Sequence, residues 1–202
     1  MINRDRGAGT SIKTRKVAIA GVLAAMTVLT TVFTRIPISI ANGYFNLGDT
    51  VILAAGVLYG EFTGAFAGAA GAALADILTG AYLFAPISLI VKGAEGFIAG
   101  KLAGGGLAYA MSKPPDHPRG SIHTGLRGAR QNARRLMPAL VAGACVMVGG
   151  YFLAETTVLA LFDRAFGIAA AVAELPFNIL QGGASVILAR LAIEGFKRTK
   201  II

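Results

Sequence analysis

Long uncharged runs separated by short basic or polar segments dominate the chain. The run at 17–34 holds eighteen uncharged residues and ends before Arg35 and Pro37. A secretory signal has a shorter apolar region followed by a small-residue cleavage site, so this run predicts a retained first membrane helix. The runs at 86–111, 136–162 and 175–191 are each long enough for one further span.

The apolar region at 51–75 is ambiguous, because it reads as one helix or as two helices broken around Gly60. Fourteen of the nineteen Lys and Arg residues lie at 1–16, at 113–135 and at 197–200. The positive-inside rule places all three segments in the cytoplasm, which requires an even number of spans. We therefore predict an all-α, six-helix membrane bundle with both termini cytoplasmic. Its second helix, at 47–58, is only about 18 Å long and must be buried in protein.

Composition indicates lipid as the main solvent. The chain is 55% hydrophobic and 14% charged, with a mean hydropathy of +0.67, whereas soluble domains average about 45–50% and about 25%. We predict one membrane domain over 1–202, with a cytoplasmic basic tail at 1–16 and a flexible basic cytoplasmic linker at 113–135. The charge of +9 follows the helix ends and forms no patch beside aromatic residues, so we expect no nucleic-acid partner.

Polar and charged residues cluster in the predicted outer halves of five helices. Charges inside a membrane are costly and usually face a cavity or one another, so the set predicts a pocket that opens outward. Internal ion pairs that only hold the bundle together are the alternative interpretation. The candidate substrate-binding residues are Asn46, Asp49, Asp76, Tyr82, Lys92, Glu95, Glu155, Glu174, Asn178 and Gln181.

Five carboxyl groups in this set face the single Lys92. The balance favours a cationic or neutral hydrogen-bonding ligand over a carboxylate or a phosphate. Aromatic side chains flank the outer loops, where they either stack on a flat ring or form the interfacial belt. These residues are Tyr44, Phe45, Tyr82 and Phe84.

Motifs for catalysis and for ATP hydrolysis are missing from the sequence. There is no phosphate loop of the GxxxxGK[ST] type and no HExxH or GxSxG motif. The single Cys145 permits no intramolecular disulfide and no Cys-based metal site. We therefore assign no catalytic residue, metal ligand or cofactor. A self-contained carrier or channel is the rival interpretation, but it requires polar residues in the inner half too, and Thr27, Thr30 and Thr31 are nearly all we place there.

Four segments in order carry a resemblance to a known family: 42–49 (NGYFNLGD), 73–76 (ALAD), 85–96 (APISLIVKGAEG) and 174–181 (ELPFNILQ). Together they resemble the substrate-binding S components of energy-coupling factor (ECF) transporters. The riboflavin-type group, which includes proteins assigned to pyridoxine and hydroxymethylpyrimidine, is the most similar. The likeness extends over about 16–196.

The resemblance implies a six-helix protein in a prokaryotic cell membrane that captures a vitamin or vitamin precursor from outside. It implies that a scaffold subunit and two ATPases drive uptake. In that family an AxxxA element of the first helix docks on the scaffold, which corresponds here to Ala20 and Ala24. The ligand stays open among pyridine, pyrimidine and flavin types, and the acidic pocket favours a pyridine or pyrimidine vitamin precursor.

Overall fold

The computed structural model describes the backbone of residues 5–38, 43–104 and 122–198, and the side chains of 14–38, 43–104 and 134–198. Within these ranges the chain forms six long helices and one short β-hairpin. The helices are α1 (Asp5–Phe33), α2 (Gly48–Tyr59), α3 (Glu61–Leu78), α4 (Ala85–Ala103), α5 (Ile122–Ala154) and α6 (Ile168–Arg198), and the hairpin pairs β1 (Ile36–Pro37) with β2 (Tyr44–Phe45).

Gly60 separates α2 from α3 and confirms that the ambiguous apolar region is two helices. Its φ of 96° and ψ of 169° lie where a side chain is strained and glycine is not. The Gly60 N–H still donates to the Gly56 carbonyl at 2.9 Å, so α2 is closed by a normal hydrogen bond before the chain turns.

The short helix α2 lies at the centre of the bundle and packs against all five other long helices. Eight of its twelve residues are buried, which agrees with the prediction of a helix surrounded by protein. Glycines make this close packing possible. A Cβ at Gly64 of α3 would lie 2.5 Å from the Gly56 Cα of α2 and 2.6 Å from the Gly96 carbonyl of α4.

Helix α5 changes character near its end. A π-helical turn, Glu155–Leu159, follows it and leads into a last turn at Ala160–Phe162. The Thr156 and Thr157 hydroxyls donate to the Phe152 and Leu153 carbonyls at 2.9 and 2.5 Å. Threonine side chains that bond backbone carbonyls in this way compete with the regular helical ladder and bend the helix.

Three stretches are long and apolar enough to cross a membrane by length and composition: Thr14–Phe33, Arg134–Phe162 and Ile168–Arg198. Two helices begin earlier than the sequence predicts. Because α1 starts at Asp5, the last twelve residues of the predicted basic tail are helical. Because α5 starts at Ile122, the second part of the predicted flexible linker is helical too, and 113–121 lies outside the described residues.

Candidate functional site

The predicted polar residues meet at one end of the bundle. Helices α2, α4 and α6 begin at this end, and α1, α3 and α5 finish there, so the alternating chain direction brings six helix termini together. Nine of the ten candidate residues are at most 8% exposed. Seven of them line one cavity: Asn46, Asp49, Lys92, Glu155, Glu174, Asn178 and Gln181.

A buried ion network forms the floor of this site. Lys92 of α4 donates to the Asp49 carboxylate of α2, and its Nζ lies 3.5 Å from Glu95 Oε2. Gln181 of α6 donates from Nε2 to Asp49 Oδ2 at 2.7 Å. Buried charges are stable only when they are paired and hydrogen-bonded, so the Lys92 ammonium group is balanced by its two carboxylate neighbours.

The hairpin between α1 and α2 covers the site and is held by its polar groups. The Gly43 N–H donates to Glu174 Oε1 at 2.7 Å, and the Asn46 N–H donates to Gln181 Oε1 at 2.8 Å. The Leu47 N–H donates to the Thr34 hydroxyl at 2.9 Å. Side chains of α6 and of Thr34, the residue after α1, thereby satisfy the backbone donors of Gly43, Asn46 and Leu47.

Tyr44 anchors the hairpin to α3. Its hydroxyl donates to Asp76, and the Arg35 guanidinium lies 4.2 Å from the centre of its ring. Tyr44 belongs to the hairpin, outside the helices, where burial and then the nearby Asp76 carboxyl raise the pKa of its phenol. The phenol therefore keeps its proton and acts as a donor to Asp76.

Glu155 and Asn178 are two polar residues on the cavity surface whose side chains are not engaged by the rest of the described bundle. Glu155 is 1% exposed, and neither of its oxygens accepts a hydrogen bond from the described residues. The Asn178 side chain, 8% exposed, likewise has no hydrogen-bonding partner in the described part of the chain. Both side chains retain hydrogen-bonding capacity that a ligand can use.

Aromatic rings border the same cavity. Phe84 precedes α4, and its ring centre lies 6.4 Å from that of Tyr151 on α5. The Tyr151 hydroxyl shares a hydrogen bond of 2.6 Å with the Ser88 hydroxyl. With the hairpin in place the remaining cavity measures about 30 Å³, which is room for about two water molecules.

Comparison with known proteins shows which family this chain belongs to. The family model of the ECF-type riboflavin transporter S component matches residues 11–110. A Pyrococcus woesei protein, described only as an uncharacterized protein in the gap 3′ region, is 34% identical over 160 residues, which is 79% of this chain and 86% of that protein. The chain belongs to the family of ECF transporter S components.

The fold of this S component has also been seen in a solved structure. The S component of a bacterial ECF transporter superposes with a TM-score of 0.60, covering 93% of this chain and 98% of that one. The identity is 17%, so this likeness shows the fold alone. It supports a membrane-embedded, all-helical protein.

Three of the predicted pocket residues are not on the cavity surface of this S component. Tyr82 is 68% exposed, because it lies in the turn between α3 and α4 and points outward, while Phe84 two residues later reaches the cavity. Asp76 and Glu95 are fully buried behind it, where they pair with Tyr44 and Lys92.

Sequence reasoning missed several residues that line the cavity. Thr31, which we placed in the inner half, lies near the end of α1 beside Gly48 and lines the cavity, because α1 runs toward the site. The spacing of polar residues along the helices does not point to Gly43. As a glycine it has no side chain, and this leaves room for the Glu174 carboxyl group. Tyr151 of α5 was not missed, because it lies one helical turn before Glu155 and that spacing places it beside the polar residues from the sequence alone.

The proposed docking element of α1 is half-buried. Both Ala20 and Ala24 are partly covered, and the Ala24 carbonyl faces Gly71 of α3, where a Cβ would lie 2.8 Å away. Gly21 has open space around it. The small residues of α1 therefore serve packing against α3 and at the same time leave a narrow smooth strip uncovered.

Proposed function

We propose that this protein is the substrate-binding subunit of an ECF-type importer and captures a vitamin or vitamin precursor of pyridine, pyrimidine or flavin type. The observation that carries the proposal is the group of buried polar side chains at one end of an apolar bundle, beneath a hairpin that bonds to them. The binding residues we propose are Asn46, Asp49, Asp76, Lys92, Glu95, Glu155, Glu174, Asn178 and Gln181.

The proposed topology has six spans, with both termini in the cytoplasm of a prokaryotic cell and the site open to the outside. The basic segments at 1–16, 113–135 and 197–200 support it, since positive charge is retained on the cytoplasmic side. A scaffold subunit and two ATPases supply the energy, and the scaffold contacts α1 at Ala20 and Ala24. The subunit itself performs no catalysis.

A self-contained carrier or channel is the second candidate, and the packing below the site argues against it. A carrier needs polar groups on a path to the other face. Here the bundle beneath the ion network is filled by a tightly packed apolar cluster. Its members include Leu53, Val57, Leu58, Leu140 and Ile193, each at most 3% exposed.

Reconstitution tests the proposal directly. The purified chain is placed in proteoliposomes with and without scaffold and ATPase subunits, and uptake of labelled riboflavin, pyridoxine and hydroxymethylpyrimidine is measured with and without ATP. We expect binding by the chain alone and uptake only with the full assembly and ATP. Equal uptake by the solitary chain would instead support the carrier, and absence of binding to every vitamin tested would refute the proposed function.

A further inference from the structure

The chemical class of the ligand can be inferred from which polar groups in the cavity are already engaged. Asp49 accepts from Lys92 and Gln181, Gln181 also accepts from the Asn46 N–H, and Glu174 accepts from the Gly43 N–H. Glu155 and Asn178 remain without partners among the described residues. A buried polar group that lacks a partner costs stability and commonly marks a functional position.

Glu155 and Glu174 are two neighbouring carboxyl groups on the cavity surface with no basic residue paired to either one among the described residues. Lys92 is the one basic residue among the described residues that line the cavity, and it is bonded to Asp49. Glu174 lies close enough to Glu155 for the two carboxyl groups to interact electrostatically. Two adjacent buried carboxylates repel each other unless a proton or a cationic group is placed between them.

The backbone around Glu155 is specialised. Glu155 begins the π-helical turn at the end of α5. Single π-helical turns inside α-helices occur frequently at functional sites, since the extra residue redirects a side chain. Helix α6 contributes Glu174 and Asn178 one turn apart, so a carboxylate and an amide from one helix face the carboxylate from the other.

The other cavity surfaces suit a flat ring. Phe84 and Tyr151 border the cavity beside these groups. Aromatic side chains favour offset or edge contacts with a second ring. A free asparagine amide can pair with an amino group and the adjacent ring nitrogen of a heterocycle, as it does with adenine.

We propose that the ligand is a flat heteroaromatic molecule whose amino or ammonium group binds between Glu155 and Glu174, with Asn178 pairing along the neighbouring edge of the ring. This inference rests on the proposed function and narrows it to nitrogen-rich, donor-bearing vitamins. Glu155 supplies both oxygens, and Glu174 adds the oxygen that Gly43 does not use. A hydroxyl in place of an ammonium group loses the ion pair with the two carboxylates, and a carbonyl oxygen in place of a ring amino group loses the donor itself.

Two matched ligand pairs test this class in the unmodified full-length chain. The first pair is pyridoxamine and pyridoxine, which differ by an ammonium group against a hydroxyl. The second is hydroxymethylpyrimidine with its ring amino group and the analogue that carries oxygen instead, and riboflavin is included as a flavin probe. Affinities are measured by isothermal titration calorimetry in detergent. We expect the amino member of at least one pair to bind about tenfold or more tightly than its oxygen counterpart.

Glu155→Gln keeps the size of the side chain and removes its charge. We expect it to weaken binding of the amino member by about tenfold or more and to remove its preference over the oxygen member, because the ammonium loses its ion pair with Glu155. Glu194→Gln is the matched control, because Glu194 lies far along α6 and pairs with the exposed Arg190. It should leave every affinity unchanged.

The outcomes separate the inference from the proposed function. If riboflavin binds as tightly as the amino members, or if the oxygen member binds as tightly as the amino member in both pairs, the inference is overturned and the proposed function stands. If the amino preference survives Glu155→Gln, the assignment of Glu155 is overturned. If no probe binds, the proposed function fails and the inference fails with it.

Discussion

Lys92 provides the sharpest test of the ion network beneath the cavity. Its side chain is 4% exposed and is paired with Asp49 and Glu95. Lys92→Met keeps the length and the apolar stem but leaves two buried carboxyl groups without a cation. Removing one member of a buried ion pair typically costs about 3–5 kcal/mol, because the remaining charge is uncompensated. We expect a loss of free energy of unfolding of that size.

The double variant Lys92→Met with Asp49→Asn separates the cause of this loss. The introduced asparagine side chain would retain an oxygen that can accept from Gln181, so only the unpaired charge at that position is removed. We expect the double variant to recover about 2 kcal/mol or more relative to the single variant. Recovery is partial because Glu95, which is fully buried, still lacks a counter-ion.

Far-UV circular dichroism during SDS titration of the detergent-solubilised protein gives the free energies of unfolding, since the chain contains no tryptophan for fluorescence. Lys101→Met is the matched control on the same helix, because Lys101 is exposed and contacts only the Phe97 ring at 5.6 Å among the interactions described. It should cost less than about 1 kcal/mol. The reasoning is refuted if Lys92→Met is as mild as Lys101→Met, or if the double variant is no more stable than the single one.

Two further substitutions test the helix contacts. Gly64→Ala would place a Cβ 2.5 Å from Gly56 Cα, so we expect the free energy of unfolding to fall by about 1–3 kcal/mol. Gly149→Ala, which has open space around it, is the control and should cost no stability. Equal effects of the two substitutions would contradict the packing argument. Ala20→Leu should preserve vitamin binding and reduce co-purification with the scaffold, because a larger side chain blocks close helix approach. Val172→Leu on the exposed face of α6 is its control. An unaffected complex would remove Ala20 from the docking surface.

Helices were largely predictable from the sequence because length and charge constrain them. The break at Gly60 followed from requiring an even number of spans, and its positive φ is a conformation that glycine adopts without strain. The starts of α1 and α5 were placed too late. Hydropathy detects only the apolar part of a helix. Both helices extend further toward the N-terminus as polar helix, to Asp5 in α1 and to Ile122 in α5.

The candidate site was predictable in its buried charges but not in its connections. Polar residues inside predicted membrane helices are few, so Glu155, Glu174 and Gln181 could be selected from the sequence without knowledge of the fold. The bond from Gly43 to Glu174 joins residues 131 positions apart, and the one from Asn46 to Gln181 spans 135. Contacts at such separation leave no local pattern, and a backbone donor such as the Gly43 N–H carries no residue-type signal at all.

The hairpin is bonded to several of the residues that we propose bind the ligand. Glu174 and Gln181 accept from hairpin backbone N–H groups, and Asp76 accepts from Tyr44. A cavity of about 30 Å³ holds about two water molecules and no heteroaromatic ring. A ring-sized ligand therefore fits only if the side chains that line the cavity, or the hairpin residues bonded to them, shift from these positions. If a ligand replaces hydrogen bonds that the hairpin already makes, its net affinity depends most on groups that the hairpin leaves unpaired, among them Glu155, Asn178 and the second oxygen of Glu174.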